Sequence, residues 1–136
     1  MFGLNGKITN PIELPSVVLA YIGDAVYELA VREYLVGCGL VNVNKLHREA
    51  VRHVRASTQA RIFHALEGLL TEAEQAIIRR GRNAKSGHAP RGNSVVEYRE
   101  STGFESLVGY LYLKQEWSRL EEIITLARRV IEEELK

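Results

Sequence analysis

A chain of 136 residues, 46% hydrophobic and 26% charged, is long enough for one apolar core and short for two. Its net charge of +1 does not by itself announce a nucleic-acid partner, and its one cysteine, Cys38, excludes an intrachain disulfide and has no metal-spaced companion. No apolar run approaches the ~20 residues of a membrane span. The first residues also lack a basic stretch leading into an apolar one, so a cytoplasmic address is expected.

Nothing alternates with period two for long enough to make a strand, and no repeat is visible. Helix signals recur instead. Pro15 suits a first helical turn, and Leu14, Val18, Tyr21, Ala25 and Leu29 follow at helical spacing until Gly37, which predicts a helix over about 14–36. Asn44 is the expected cap of a second helix carrying Leu46, Ala50, Val54, Ile62, Ala65 and Leu69, with a polar gap around Ser57 and Thr58. Thr71 and Glu74 form a capping box that opens a short helix ending at Gly81. A Gly, Asn, Ser and Pro-rich loop over 81–93 follows. Ser94 with Glu97 opens a helical region to about Lys114, with Phe104, Leu107, Val108 and Leu111 on one face. Ser118 with Glu121 opens the last helix, carrying Leu120, Ile124, Ala127 and Ile131. The expectation is an all-α fold of five or six helices in a single domain, residues 1–136.

Against that pattern the pair Gly23-Asp24 stands out, because a helix interior favours neither residue. Asp24 falls on the face of Ala20, Tyr27 and Glu28, away from the strongest apolar line, and Gly23 lets another backbone or a ligand come close. Glu28, one turn on, is near enough to share a cation. The plainer alternative is a solvated acidic patch beside a packing glycine. Glu105 lies one position off the Phe104, Leu107, Val108 and Leu111 line among Ser101, Thr102 and Gly109, which leaves room around its carboxylate. Its plainer alternative is a capping box with Thr102.

Cations gather in two places. Arg48, Arg52 and Arg55 make one stripe on the second helix. The segment 79–92 holds Arg79, Arg80, Arg82, Lys85 and Arg91 with Asn83 and no acid, a clustering that suits an anion such as a phosphate backbone. His47, His53, His64 and His88 lack zinc spacing, the glycines build no phosphate-binding loop, and Phe104, Tyr110 and Tyr112 suit a core or an interface.

Two of these segments carry a resemblance. LAYIGDAVYEL, residues 19–29, resembles the nuclease signature of the ribonuclease III family, and STGFESLVGYLYL, residues 101–113, is similar to that family's second motif. With no double-stranded-RNA-binding domain after the second motif, the nearest branch is Mini-ribonuclease III, the nuclease domain alone. The resemblance implies an all-helical endonuclease that works as a homodimer and cleaves double-stranded RNA with Mg²⁺, or Mn²⁺ as a substitute. By the same resemblance Asp24 and Glu105 are catalytic metal ligands, and Tyr21 plugs into the partner subunit. The branch implies maturation of 23S ribosomal RNA precursor in a bacterium, with a ribosomal protein on the substrate as a further partner to consider. The basic residues Arg79, Arg80, Arg82, Asn83, Lys85 and Arg91, with Arg48 and Arg52, would then hold RNA in place of the missing domain. Fuller enzymes of the family carry acids where this chain has Ala20 and Thr102, which makes a non-catalytic RNA-binding relative the competing expectation. Glu28 is the geometric candidate to compensate.

Overall fold

The computed structural model describes residues 7–84 and 94–134. The cations Lys85 and Arg91, and most of the expected loop, lie outside them. Among the described residues the elements are all helical: α1 (Ser16–Gly37), α2 (Val43–Val54), α3 (Ala56–Leu66), α4 (Glu72–Arg82), α5 (Val95–Leu113) and α6 (Trp117–Glu134). Short 3-10 turns at Pro11–Glu13 and Glu67–Leu69 precede α1 and α4.

The ends follow the local chemistry, with some departures. Thr71 Oγ1 accepts from the Glu74 N–H while Glu74 returns a bond to the Thr71 N–H, so the expected box forms. Ser94 caps α5 by accepting from the Glu97 N–H. The second helix is capped by Asn42, not Asn44, and ends at Arg55, whose extended backbone (φ −64°, ψ 153°) splits the expected long helix in two. The polar gap at Ser57 and Thr58 marks that break: the Thr58 hydroxyl donates to the Arg52 carbonyl at 2.6 Å. Gly37 stays inside α1. The stop is Gly39, at φ +95°, a conformation that glycine adopts without steric penalty. Ser118 lies inside α6 rather than capping it, since the helix starts one residue earlier.

α5 runs through the centre, packed against α1, α3, α4 and α6. Its side chains Phe104, Leu107, Val108 and Leu111 are buried together with Tyr27, Ile62, Ile78, Ile123 and Ala127. The Tyr27 ring meets the Phe104 ring edge-on, centroids 5.3 Å apart. Glycines let α5 approach two neighbours backbone to backbone. A Cβ on Gly23 would stand 1.8 Å from the Glu105 carbonyl oxygen, and one on Gly109 1.9 Å from the Leu19 carbonyl oxygen. On the other side, a Cβ on Gly103 would lie 2.7 Å from the Ile78 carbonyl oxygen.

This contact reverses the expected orientation of α1. The buried line is Leu19, Ala20, Gly23, Tyr27, Val31 and Leu35, whereas Val18, Tyr21 and Leu29 of the expected apolar line are exposed. α1 is apolar on both sides, so periodicity could not choose the side that faces α5. The close approach at Gly23 decides it.

A polar tie joins α4 to α6. Arg119 forks onto Glu74, with Nε to Oε2 and Nη2 to Oε1 each at 2.7 Å, and Nη2 also reaches the Leu69 carbonyl at 3.0 Å. The Arg119 guanidinium, followed by the capping bonds at Thr71, holds the Glu74 carboxyl below its ordinary range against the opposing effect of burial.

Gly109→Val is expected to cost at least ~4 kcal/mol or to prevent folding, because the new side chain meets backbone. Gly37→Ala, where a Cβ meets nothing within 4 Å, should stay within about 1 kcal/mol of the parent in urea unfolding. Arg119→Met should lose about 2–3 kcal/mol at pH 7. Glu74 has a depressed folded pKa, so this contribution is full above the unfolded carboxylate range and disappears as pH falls through the folded value. Urea midpoints of the two proteins should therefore converge at low pH.

Candidate active site

Where α1 and α5 touch, Asp24 and Glu105 are the residues at the seam. Gly23 lies against the Glu105 carbonyl, so the side chain next to it on α1 and the side chain of Glu105 on α5 leave the contact side by side. Asp24 stays exposed, while Glu105 is largely enclosed by the surrounding helices. The two carboxyl groups lie close enough to act on one another. Burial, then the Asp24 carboxylate beside it, push the Glu105 carboxyl up to about 8, and the Gln59 amide at 3.3 Å pulls the other way. At neutral pH the Glu105 carboxyl is therefore held toward its protonated form, since two bare carboxylates side by side would repel.

The donor set suits a hard cation. It consists of oxygens alone, and a divalent ion would replace the proton and relieve both the repulsion and the burial of charge. Among the described residues no group of three or more His, Cys, Asp or Glu assembles into a cage. A cation on this pair would thus keep most of its coordination for water and an outside ligand, as Mg²⁺ does.

The neighbouring positions fill in the site. α5 passes unbroken through Thr102 and Glu105, which removes the capping-box alternative, and the Thr102 hydroxyl donates to the Tyr98 carbonyl at 3.0 Å. Ala20 is buried in the α1 face against α5. Neither supplies an additional acid. Glu28 Oε1 pairs with Arg32 at 3.4 Å, which turns its charge along α1. Tyr21 points outward, 79% exposed.

Two features escaped the sequence reading. Gln59, in the polar gap, reaches across to Glu105, and no motif flags a single glutamine. Glu100, buried on α5, lies with its Oε2 against Nε2 of the exposed His64 of α3.

The cations divide. Arg48, Arg79 and Asn83 are exposed and Arg82 is half-buried at the end of α4. Arg52 pairs with Glu49 at 3.3 Å, and Arg55 donates to Thr58. Arg80 turns inward on its own chain: its guanidinium donates to Ser16 Oγ at 2.8 Å and to the carbonyls of Ile12 and Leu14 at 2.8 and 2.9 Å. Those bonds fasten the start of α1 to α4.

Among known proteins, the family described as "Ribonuclease III domain" matches residues 17–116, a span that holds both acids of the seam. A Mini-ribonuclease 3 of Symbiobacterium thermophilum is 52% identical over 126 residues, covering 93% of this chain and 97% of its own. That of Thermoanaerobacter sp. is 48% identical over 122 residues, 90% of this chain and 86% of its own. A crystal structure of a protein from Fusobacterium nucleatum, 30% identical, superposes with a TM-score of 0.78 over 86% of this chain and 93% of that one. The helical fold, the paired acids and the extent of these matches together make the chain a member of the ribonuclease III family, and with it an endoribonuclease.

Proposed function

We propose that the chain is a single nuclease domain that cuts double-stranded RNA with Mg²⁺ held by Asp24 and Glu105, acting in the cytoplasm as a homodimer. The carrying observation is the meeting of these two carboxyls at the α1–α5 seam, with Glu105 pushed up to about 8. A bound divalent ion would supply a Lewis acid there, making water nucleophilic and offsetting charge on the phosphate. The protein's part is positional. The glycine contact fixes the two acids relative to one another, burial on one side leaves the other side open to a phosphate, and Asp24 faces solvent, from which RNA must come.

A-form duplex displays phosphate ridges and 2′-hydroxyls across a shallow groove, so recognition is by shape and charge. Arg48, Arg79 and Arg82 remain the cations of α2 and α4 for that role, with Lys85 and Arg91. Arg80 contributes indirectly through the bonds that secure α4. Precursor 23S ribosomal RNA is the substrate this reading assigns, on the strength of the sequence resemblance and of relatives named Mini-ribonuclease 3.

Support for the dimer comes from the other side of α1. Ile22, Val26 and Leu29 line an open apolar groove with Tyr112, Trp117 and Ile124, and the exposed Tyr21 stands beside it on α1. Apolar surface of that extent, rimmed by Glu33, Glu121 and Arg128, suits a second copy of the chain. Two seams in one dimer would address the two strands of one duplex.

On an end-labelled RNA duplex, Asp24→Asn and Glu105→Gln should each lose at least ~100-fold in Mg²⁺-dependent cleavage while still binding duplex at low salt. Cleavage that survives both changes, or that is indifferent to chelator, would refute the reading. Burial also sets a sign for stability. Because the folded pKa of Glu105 is raised, the metal-free protein loses stability as pH climbs from the ordinary carboxylate range to about 8. Metal-free Glu105→Gln should therefore be more stable than the parent by about 1–2 kcal/mol at pH 8, with the gap closing near pH 5 and shrinking when Mg²⁺ is added. Thermal melts at the two pH values test it.

A further inference from the structure

Gln59, near the start of α3, is 1% exposed, a polar side chain where an apolar one would fill the same space. Its amide nitrogen donates to the Val54 carbonyl at 2.7 Å and to Glu105 Oε2 at 3.3 Å. The Val54 carbonyl fixes which end of the amide lies there, since the flipped amide would set its oxygen against two acceptors. Gln59 therefore presents an N–H to Glu105. Its own oxygen, Oε1, is buried and meets no donor among the described residues. An orphaned acceptor weakens the fold, and an apolar side chain of equal length would avoid it. What the amide achieves lies at Glu105, whose Oε2 it engages from the protein interior at 3.3 Å.

The surroundings make Gln59 a rigid strut. The extended residue Arg55 ends α2 and starts α3, and this corner is pinned by the Thr58 hydroxyl on the Arg52 carbonyl and by the Gln59 amide on the Val54 carbonyl. A donor held by that corner engages Oε2 of Glu105 and leaves Oε1 for another partner.

We propose that Gln59 is a positioning residue of the metal centre, holding the Glu105 carboxylate in the orientation in which it and Asp24 ligate one divalent cation. The inference rests on the metal-nuclease reading above and adds to it a residue outside both sequence motifs. Partners that orient a metal ligand change affinity for the ion by about 10–100-fold when removed.

The test is Mn²⁺ binding to the RNA-free protein, followed by the loss of the free-ion electron paramagnetic resonance signal. It compares the parent, Asp24→Asn, Gln59→Met and Gln59→Leu, with urea unfolding run on each. The expected result is binding by the parent, none by Asp24→Asn, and binding about 10–100-fold weaker by the folded Gln59 variants, whose affinity for RNA duplex in chelator stays at the parent's value. Parent-like Mn²⁺ affinity in a folded Gln59 variant would overturn the inference and leave Gln59 as a tie between α3 and α5. Absence of binding by the parent would instead overturn the metal-nuclease reading. Should neither Gln59 variant fold, the wild type decides: substoichiometric Mn²⁺ should broaden the side-chain amide signal of Gln59 in a ¹⁵N spectrum, and an unbroadened signal there rejects the proposal.

Discussion

Two helices meet here without side chains between them. At Gly23 and Gly109, α1 and α5 come so close that a methyl group on either would fall inside the other's carbonyl oxygen. That contact determines which side of α1 is buried, places Tyr27 on Phe104, and sets Asp24 and Glu105 beside each other. The buried polar residues follow from the same closeness. Ser106 on α5 donates to the Ser16 carbonyl across the seam and to Thr102 within its own helix. Thr102 is small enough to bond its hydroxyl back to Tyr98.

The seam also concentrates a destabilising element in an otherwise well-satisfied fold. Enclosing a carboxyl beside a second one opposes folding, and the rest of the molecule offsets it with a broad apolar core and with charged ties such as Arg119 on Glu74 and Arg80 on the chain before α1. Local rules of sequence preference fail at that point, as they do where geometry serves chemistry. A helix-unfriendly Gly-Asp pair and an acid lodged in a core helix are two sides of one contact.

How much of this could be read from the chain varied with the range of the interaction. Thr71 and Glu74 announce their capping box because both partners are within one turn, and the Phe104, Leu107, Val108 and Leu111 face is unambiguous because the remainder of α5 is small or polar. Asp24 and Glu105 were legible as candidates because each interrupts a helical pattern. The orientation of α1 was not, since both its sides are apolar and the deciding contact is with residues more than eighty positions away. The break at Arg55 showed only as a polar gap, and Asn42 and Asn44 are equally good caps until the helix start is known. Arg80 looked like its exposed neighbours in composition, and only the fold turns it toward Ile12, Leu14 and Ser16. Gln59 is a single residue whose meaning lies wholly in what it reaches.

Because backbone meets backbone at the seam, the spacing of the two acids is insulated from the rest of the core. Side chains can be exchanged at Ile62, Ile123 or Ile131, changing the melting temperature and the packing, without altering how far α1 stands from α5. Such a molecule separates two tasks: the apolar interior can drift or be redesigned for heat resistance, while the relative placement of the two acids is carried by Gly23 and Gly109, which have no side chain to exchange.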